Sequence, residues 1–542
     1  MKILAAQINP IVGDLEGNTK KILHFLDQAR MKKADIVLFP EMAVCGYPAE
    51  DLLFFPKFIE KVEEHLDKII KGSSGLFVVV GFPRTNPLKG QPFFNSAAII
   101  HDGKLLGFQD KTLLPNYDVF NEMRYFEPAK ERKIWNFKDK KIGVLICEDA
   151  WEHSSEITQT RYWVDPVNDF VKLKPDLMLV MSASPYYFKK RDLRTKVYGK
   201  VAKTLKTPLV LCNQVGANDQ LVFDGNSLFF DKNGDLKQIA EGFLEDEFLI
   251  DLNYQENCII EEDPIKDLYR ALVLGVKDYF GKQGFSKACL GLSGGVDSAL
   301  TACIAADALG SNNVLGLRMP SRFSSISSIE DAEALAKNLR IDLMDFPIDT
   351  LFQDFLDHLS PVFFDKPFGT AEENIQARIR GMILMGVSNK LGHIVLSTGN
   401  KSELATGYVT LYGDMCGGLG VINDVSKTLV YKLANWINRK KEIIPLNIIK
   451  KAPSAELKAN QTDQDELPPY NIVDLVLEEY LENHKSIEEI VKEHGISAET
   501  VRSLVEKIHI AEYKRRQGPP GICVTKKAFS KGRIFPIVQG WI

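Results

Sequence analysis

The first half of the chain is a succession of short apolar runs separated by turn-forming residues. Asp102-Gly103 and Asn233-Gly234 each join two alternating runs, which is typical of a hairpin turn. Helical patterns cover residues 16–33 and 55–71. The predicted strands are KILAAQI, ADIVLFP, LFVVVGF, NSAAIIHDGKLLGFQDK, KIGVLIC, LMLVMSA, PLVLCNQ and GNSLFFDKNGDLKQIA. Strands and helices mixed with antiparallel hairpins predict an α+β sandwich in this half.

The pattern changes at an acidic stretch where Pro264 precedes a helical segment. Beyond it the order is KACLGLS, a helix from about 298, NVLGLRMP, a helix at 327–338, DLMDFPI, a helix at 371–390 and HIVLSTGN. Such alternation predicts a doubly wound parallel sheet of the Rossmann-like α/β class, with ligands at its carboxyl edge. We therefore expect a domain over 1–255, a linker over 256–265 and a second domain over 266–542. Residues 457–470 are polar and contain Pro-Pro, which predicts an exposed loop.

Length and composition agree with two domains. A chain of 542 residues exceeds one ordinary core, and its formal net charge of −5 gives no reason to expect nucleic acid or an anionic membrane as a partner. The 8 Cys are scattered without a Cys-x-x-Cys pair, which suits a reducing compartment. The start of the chain, MKILAAQINP, predicts a strand and lacks the apolar core of a signal peptide. We therefore expect a cytoplasmic protein with no membrane or nucleic-acid partner.

A candidate phosphate-binding loop lies in the stretch LGLSGGVDSAL, residues 290–300. It follows a predicted strand and precedes a helix, where free backbone N–H groups attract an anion. The Walker A pattern with its Lys is absent, so γ-phosphoryl transfer of that type is not expected. The loop instead suits the pyrophosphate end of ATP while a substrate oxygen attacks the α-phosphorus, with Asp297 as a Mg²⁺ ligand. The expected ATP contacts are Gly291, Leu292, Ser293, Gly294, Gly295, Val296, Asp297 and Ser298.

A second set of polar residues follows the next predicted strands. The stretch LSTGNKSELATGYVTLYGDM, residues 396–415, supplies Glu403 and Asp414 after a strand end. Glu403 stands where a second carboxylate could share Mg²⁺ with Asp297. Asn374 and Arg378 are four residues apart, on one face of a predicted helix. Taken alone this pair would be a solvated polar face, so its interpretation depends on the other motifs.

With NDVSKTLVYKLA, QTDQDELPPY and AEYKRRQGPP, these motifs resemble the pyrophosphate-loop ATP pyrophosphatases. Over essentially all of residues 266–542 they resemble the NAD⁺ synthetase family in particular. Members of the wider group adenylate a carboxylate or carbonyl oxygen and then admit a nitrogen or sulfur nucleophile. The resemblance implies that Thr398 and Lys427 join the loop at ATP. It also implies that deamido-NAD⁺ is bound by Asn374, Arg378, Glu403, Asp414 and Lys514.

The first half carries residues suited to releasing ammonia from an amide. Lys2 excludes an N-terminal Cys nucleophile, and no Gly-x-Cys-x-Gly elbow exists for a Cys-His-Glu glutaminase. Three predicted strands end at Glu41, Lys111 and Cys147, and strand ends are rigid supports for convergent side chains. Cys147 would attack the glutamine carboxamide after giving its proton to Glu41, while Lys111 supplies positive charge. Cys45 is a competing nucleophile, although no acidic pair follows it.

Residues 1 to about 255 resemble the nitrilase-type glutaminase domain, and this resemblance implies an α-β-β-α sandwich. It implies Glu122 as an additional acidic residue near the nucleophile. It also implies Tyr117, Ser184 and Lys190 as glutamine contacts, with Lys189 and Arg191 as alternatives to Lys190.

The combined resemblance implies a ligase that converts glutamine, ATP and deamido-NAD⁺ into NAD⁺, glutamate, AMP and pyrophosphate, with Mg²⁺ at Asp297 and Glu403. We expect a homo-oligomer whose partners are these small molecules. One alternative keeps both chemistries but changes the acceptor to another carboxylate or a nucleotide carbonyl. A tRNA-modifying member would show a larger basic face, which this chain lacks. Another alternative is a nucleotide-sensing module that regulates an amidase, but sensing does not need paired metal carboxylates.

Overall fold

The computed structural model describes residues 1–154 and 162–541. The chain divides into two compact units, Met1–Asp263 and Pro264–Ile542, so the predicted linker at 256–265 spans the division. In the described part of the chain, no helix is long and apolar enough to cross a membrane.

The first unit is built on two six-stranded sheets. Helices α1 and α2 contact strands β2, β3 and β5 of one sheet, whereas α4 contacts β9 and β12 of the other. The strands are β1 (Lys2–Gln7), β2 (Ile36–Leu38), β3 (Phe77–Thr85), β4 (Phe93–His101), β5 (Lys104–Asp110), β6 (Ile134–Phe137), β7 (Lys140–Ile146), β8 (Leu177–Ser182), β9 (Leu209–Asn213), β10 (Val215–Asn218), β11 (Leu221–Asp224), β12 (Leu228–Phe230), β13 (Leu236–Ile239) and β14 (Asp246–Asp251). The helices are α1 (Leu15–Met31), α2 (Pro56–Gly72), α3 (Pro166–Leu173) and α4 (Lys190–Leu205).

These sheets form the two inner layers of an α-β-β-α sandwich. Their strand orders are β14-β1-β2-β3-β4-β5 and β13-β12-β9-β8-β7-β6, while β10 and β11 form a separate hairpin. One apolar cluster draws buried side chains from both sheets, including Ile3, Val79, Val144 and Leu179. A second cluster packs the outer face of the second sheet against α3 and α4. The nitrilase-like fold expected for this half is confirmed.

Local sequence accounts for the turns and helix starts of this unit. Asp102 and Gly103 both have positive φ between β4 and β5, as the Asp-Gly hairpin signal predicts. Helix α1 begins after Asp14, whose side chain accepts a hydrogen bond from Gly17 N. Helix α2 begins at Pro56, a position that suits a residue without an N–H donor.

The second unit contains a five-stranded parallel sheet ordered β17-β16-β15-β18-β19. Its strands are β15 (Ala288–Gly291), β16 (Val314–Arg318), β17 (Asp342–Asp345), β18 (Ile394–Ser397) and β19 (Leu419–Gly420). Its helices are α5 (Pro264–Gln283), α6 (Val296–Leu309), α7 (Ile326–Leu339), α8 (Asp349–Phe363), α9 (Thr370–Leu391), α10 (Lys401–Thr406), α11 (Lys427–Ile437), α12 (Leu446–Lys450), α13 (Tyr470–Leu477), α14 (Ile487–His494), α15 (Ala498–Ile510) and α16 (Glu512–Arg515). The doubly wound parallel sheet is confirmed.

Strand order places the ligand site of this unit. The chain proceeds from β15 to β16 and β17 on one side, then returns to β18 on the other side of β15. Such a reversal opens a crevice at the carboxyl ends of the two strands that flank it. Strand β15 ends at Gly291 and β18 ends at Ser397, so the predicted phosphate loop and Thr398 both face this crevice.

The polar segment 457–470 differs from its prediction as a wholly exposed loop. Gln461, Asp463 and Leu467 are buried. The Gln461 side chain accepts a hydrogen bond from Leu457 N at 2.8 Å, and its backbone carbonyl accepts one from Ser454 Oγ at 2.6 Å. These contacts fold the segment onto the second unit, which composition alone does not reveal.

Candidate active sites

Cys147 lies at the turn where β7 ends and a single 3₁₀ turn, Cys147–Ala150, begins. Its φ of 47° is in the left-handed region, which non-glycine residues rarely adopt. The Ser182 hydroxyl, at the end of β8, donates to the Cys147 Sγ at 3.2 Å. Burial raises the pKa of the Cys147 thiol, Glu41 raises it further, and Lys111 opposes both effects. The sulfur is therefore buried and aimed by a sharp turn.

Glu41, Lys111 and Glu122 form a buried cluster beside this thiol. The Lys111 Nζ donates to Glu41 Oε1 at 2.7 Å and to Glu122 Oε1 at 2.8 Å. Asn95 Nδ2 donates to Glu41 Oε1 at 2.7 Å, and Ala183 N donates to Glu41 Oε2 at 2.9 Å. Both oxygens of Glu41 are thus fixed before any substrate arrives.

The electrostatics of the cluster follow from burial and mutual contact. Burial lowers the pKa of Lys111, but the carboxylates of Glu122 and Glu41 outweigh this effect and raise it well above its usual range. Burial raises the pKa of Glu122 to about 7, although Lys111 opposes the shift. Lys111 consequently stays charged, whereas Glu122 titrates near neutrality.

The residues expected to hold glutamine lie around the same thiol. Tyr117 Oη donates to Glu148 Oε1 at 2.8 Å, and Glu148 is the residue after Cys147. Ser184 is buried, and its backbone N donates to Asn213 Oδ1 at 3.0 Å. The first contact places Tyr117 beside the turn that carries Cys147. Ser184 lies two residues after Ser182, whose hydroxyl donates to the Cys147 sulfur.

Lys190 is the buried member of the three adjacent basic candidates. Its Nζ donates to the Pro185 carbonyl at 2.7 Å and has no carboxylate within ion-pair distance in the described residues. Burial lowers its pKa to about 8, and the positive charge of Arg194 adds to this shift. Lys189 is exposed and Arg191 is only partly buried, so Lys190 is the better placed of the three.

The competing nucleophile Cys45 lies in a different environment. Burial raises its pKa to about 12, and its Sγ donates to the Gly46 carbonyl at 3.4 Å. In the part of the chain that the structure describes, no hydrogen bond joins it to Glu41 or Lys111. The charges of Glu41 and Lys111 act on the pKa of the Cys147 thiol and not on that of Cys45, so Cys147 is the thiol with acid–base groups close to it.

The phosphate loop of the second unit adopts the predicted strand–loop–helix geometry. Gly294 has φ 77°, and a Cβ built on it would lie 2.3 Å from the Ser328 carbonyl oxygen. Gly295 is the N-cap of α6, so the free N–H groups of this helix open into the crevice. The Ser293 and Ser298 hydroxyls lie 3.1 Å apart and bond within the loop. The backbone conformation thus requires Gly at position 294.

Carboxylates and one ammonium group meet beside this loop. The Lys427 Nζ donates to Asp297 Oδ2 at 2.5 Å and to Glu403 Oε1 at 3.2 Å, while Asn400 Nδ2 donates to Asp297 Oδ1 at 2.9 Å. Burial raises the pKa of Glu403 to about 8, and Lys427 opposes the shift. Asp463 is also buried here, and its Oδ1 has no hydrogen-bond partner in the described residues.

A cavity of about 290 Å³ joins these groups. The whole loop from Gly291 to Ser298 lines it, together with Thr398, Glu403, Asp414 and Lys427. Burial raises the pKa of Asp414 to about 6, and its Oδ1 accepts a hydrogen bond from Thr410 N at 2.7 Å. The structure therefore brings the predicted ATP residues into one cavity.

The remaining residues predicted for deamido-NAD⁺ surround the loop 407–414. Thr410 Oγ1 donates to Asn374 Oδ1 at 2.6 Å, and Arg378 Nε donates to the Leu411 carbonyl at 3.2 Å. Lys514 Nζ donates to the carbonyls of residues 407 and 409, each at 2.8 Å. Asn374, Arg378 and Lys514 do not line the cavity, so they form a second polar group beside it.

Several residues of both sites were absent from the sequence prediction. In the first unit these are Asn95 and Ser182, and in the second they are Asp463 and Arg380, which line the nucleotide cavity. Ser182 ends an apolar strand as Lys111 and Cys147 do, so its position carried a usable signal. Asp463 lies in the motif QTDQDELPPY, but the neighbouring acidic residues of that motif gave no reason to single it out.

Comparisons with known proteins cover both units. The NAD synthase family matches residues 268–518, and the carbon-nitrogen hydrolase family matches residues 2–156. The glutamine-dependent NAD(+) synthetase of Synechocystis sp. is 44% identical over 99% of this chain and 99% of its own. That of Thermotoga maritima is 40% identical over 99% of this chain and 98% of its own.

Solved structures agree with these relatives. A glutamine-dependent NAD⁺ synthetase from Acinetobacter baumannii, in complex with adenosine diphosphate, matches with a TM-score of 0.78 and 37% identity, covering 100% of this chain and 99% of that one. One from Cytophaga hutchinsonii shares the fold, with a TM-score of 0.84 and 21% identity, covering 99% and 98% of the two chains. From the full-length relatives and both family matches, the chain belongs to the glutamine-dependent NAD(+) synthetase family.

Proposed function

We propose that this chain amidates deamido-NAD⁺ to NAD⁺ with ATP, using ammonia released from glutamine. Residues 1–255 are the glutaminase and residues 266–542 the synthetase in this proposal. The observation that carries it is the pairing of two sites in one chain. A buried Cys with Glu and Lys partners lies in one unit, and a phosphate loop without a Walker Lys lies in the other.

In the glutaminase half, Glu41 takes the proton from the Cys147 thiol as the sulfur attacks the glutamine carboxamide carbon. The C=O bond opens to an oxyanion, and the Lys111 ammonium stabilises the negative charge that develops. Collapse breaks the C–N bond, and Glu41 returns its proton to the departing ammonia. Water then hydrolyses the thioester to glutamate, with Glu41 acting again as the base.

In this scheme the carboxylate of glutamine is bound by a positively charged side chain. Lys190 has a buried ammonium group without a carboxylate partner in the described residues, so a substrate carboxylate would offset the cost of burying it. In this proposal Tyr117, which donates to the residue after Cys147, and Ser184, which lies two residues after Ser182, contact the rest of the substrate. Glu148 holds the Tyr117 hydroxyl in place.

In the synthetase half, the loop N–H groups of residues 293–298 bind the phosphates, and a carboxylate oxygen of deamido-NAD⁺ attacks the α-phosphorus. Pyrophosphate leaves, and ammonia displaces AMP from the adenylated carboxyl group. Asn374, Arg378, Asp414 and Lys514 position the acceptor. Thr398 and Lys427 line the ATP cavity.

The residues present fit a bound Mg²⁺ ion. Five carboxylates line the cavity against four basic side chains, so the protein alone does not neutralise a triphosphate. Burial raises the pKa of Glu403 and of Asp463, and the nearby charge of Asp297 adds to both shifts. Asp463 Oδ1 is a buried oxygen without a hydrogen-bond partner in the described residues. Hard cations prefer such oxygen donors, and bound Mg²⁺ would screen the charge of the leaving pyrophosphate.

The test measures NAD⁺, AMP and pyrophosphate from deamido-NAD⁺ and ATP, with glutamine or ammonium chloride as the nitrogen source. Cys147→Ala should lose synthesis with glutamine and keep synthesis with ammonium, because free ammonia needs no thioester. Cys45→Ala, the matched buried thiol, should keep both activities. Loss of both activities in a well-folded Cys147→Ala variant would refute the assignment of Cys147 as a dedicated glutaminase nucleophile.

A panel of acceptors in the same assay tests the substrate. Other nucleotide carboxylates and carbonyls should support AMP release far less well than deamido-NAD⁺. Equal AMP release with an unrelated acceptor would overturn the proposed substrate while leaving the two chemistries in place. Absence of AMP and pyrophosphate with every acceptor would overturn the adenylation itself.

A further inference from the structure

The cavity beside the phosphate loop is lined by four basic side chains, and three of them are already paired with carboxylates. Lys427 contacts Asp297 and Glu403, and Lys451 contacts Glu456. The guanidinium of Arg318 makes two hydrogen bonds to Asp345, at 2.5 and 2.8 Å. The fourth basic residue is Arg380.

Arg380 has no carboxylate partner among the described residues. It lies on α9, is half-buried, and donates from Nε to the Met319 carbonyl at 3.0 Å. The two acidic residues whose charge reaches it are Glu456 and Asp349. Neither forms an ion pair with it within 4.0 Å in the described residues.

Both of these acidic groups are engaged by other donors. Glu456 Oε1 accepts from Lys451 Nζ and from the hydroxyls of Ser325 and Ser328, the latter two at 2.9 Å. Asp349 Oδ1 accepts from Arg322 Nε at 3.1 Å and from Arg322 N at 3.0 Å. Within the part of the chain that the structure describes, Arg380 is therefore the cation of this cavity that lacks an ion-pair partner.

A cation that is partly withdrawn from water without an ion-pair partner is unfavourable. Burial lowers the pKa of the Arg380 guanidinium to about 10, because the charged form is poorly solvated in this position. An anionic ligand in the cavity would remove this cost. A guanidinium presents parallel N–H donors that match phosphate oxygens, and such charge-assisted bonds are stronger than neutral ones.

The phosphate loop brings no side-chain cation of its own to this cavity. It carries no Lys or Arg between Gly291 and Ser298, and the nearby Lys427 ammonium is shared by Asp297 and Glu403. Arg378, two residues before Arg380 on the same helix, does not line the cavity and donates to a backbone carbonyl.

We propose that Arg380 binds an oxygen of the ATP phosphate chain, supplying the positive charge that the Lys-free loop lacks. This inference rests on the proposed function, since it deepens the ATP site of that reaction. Arg380 then selects nucleotides by their phosphates and contributes little to binding of the nucleoside.

The test compares binding of ATP, pyrophosphate and adenosine by titration calorimetry with Mg²⁺ present, using the full chain. Arg380→Gln should weaken ATP and pyrophosphate binding by about 10- to 100-fold and change adenosine binding by less than about twofold. Arg380→Lys keeps the charge but not the planar fork, so its loss of ATP affinity should be smaller, about 3- to 10-fold. Arg502→Gln, an exposed Arg on α15 outside the cavity, is the matched control for lost charge and should bind as the wild type does.

Two results would overturn the proposal: ATP and pyrophosphate affinities of Arg380→Gln within twofold of the wild type, or a loss of adenosine binding equal to that of ATP. If Arg380→Gln does not fold, as judged by its melting curve, the Lys variant decides through the same comparison of ATP with adenosine. The readout is binding, so it is independent of the NAD⁺ assay that decides the proposed function.

Discussion

Lys111→Met removes the one ammonium group of a buried cluster. The Lys111 side chain is 1% exposed, and it lies 2.7 Å from Glu41 and 2.8 Å from Glu122. Removing one partner of a buried ion pair costs about 3–5 kcal/mol, because it leaves a buried charge without compensation. At about 2–4 °C per kcal/mol for a unit of this size, the melting temperature of the first unit should fall by roughly 6–20 °C.

The loss should depend on pH in a defined direction. Burial raises the pKa of Glu122 to about 7 even with Lys111 present, and removing Lys111 raises it further. The folded state then binds a proton that the unfolded state has already released, so stability is present at low pH and lost as pH rises through the folded pKa. The deficit of Lys111→Met relative to wild type should be small at pH 5.5 and large at pH 8.

Glutaminase activity and stability should respond differently to a second change. Lys111→Met should lower glutamate release by at least about 10²–10³-fold, the usual loss for one oxyanion donor. The double variant Lys111→Met/Glu122→Gln removes one carboxylate with the cation, so it should regain part of the melting temperature but none of the activity. Glutamine hydrolysis by Lys111→Met near the wild-type rate, or an unchanged melting temperature, would refute this reasoning.

The other predictions concern metal, pH and backbone. Asp297→Asn and Glu403→Gln should each abolish NAD⁺ formation with either nitrogen donor and spare basal glutamine hydrolysis; near-normal synthesis would defeat the metal assignment. The kcat/KM for glutamine should fall above pH 8, where Lys190 loses its charge. In Lys190→Arg the side chain stays charged, so kcat/KM should remain level up to about pH 9.5. The same fall above pH 8 in this variant would exclude Lys190 as its cause. Gly294→Ala should bind ATP at least about tenfold more weakly, because the new Cβ would lie 2.3 Å from the Ser328 carbonyl oxygen; calorimetry showing wild-type affinity would contradict this.

Much of the fold could be predicted because its local signals agree with its tertiary structure. The predicted helices at 327–338 and 371–390 are observed as Ile326–Leu339 and Thr370–Leu391, and the Ser325 side chain caps the first of them. Helix α8, Asp349–Phe363, was not predicted, and it contains Pro361 within its last turn. Its stability depends on packing against neighbours, which a pattern of single residues does not record.

The candidate sites divide in the same way. Glu41, Lys111 and Cys147 were predictable because each comes just after a predicted strand. Glu41 and Lys111 follow strands of one sheet and Cys147 follows a strand of the facing sheet, so the three side chains meet at the ends of the two inner layers. Asn95 was not, because it lies inside β4 and its role depends on which strand is its neighbour. Arg380 could not be predicted. Its proposed role depends on the absence of a carboxylate partner in the described structure, which the sequence does not show.

The backbone at Cys147 has a consequence for how this protein would respond to selection. A non-glycine residue at φ 47° stores roughly 1–3 kcal/mol of conformational strain. Glycine would relieve that strain, at the loss of the sulfur. A mutant library screened for heat resistance alone should therefore enrich Cys147→Gly, a variant that is more stable but cannot hydrolyse glutamine. The thiol occupies this position at the expense of the stability of its own unit.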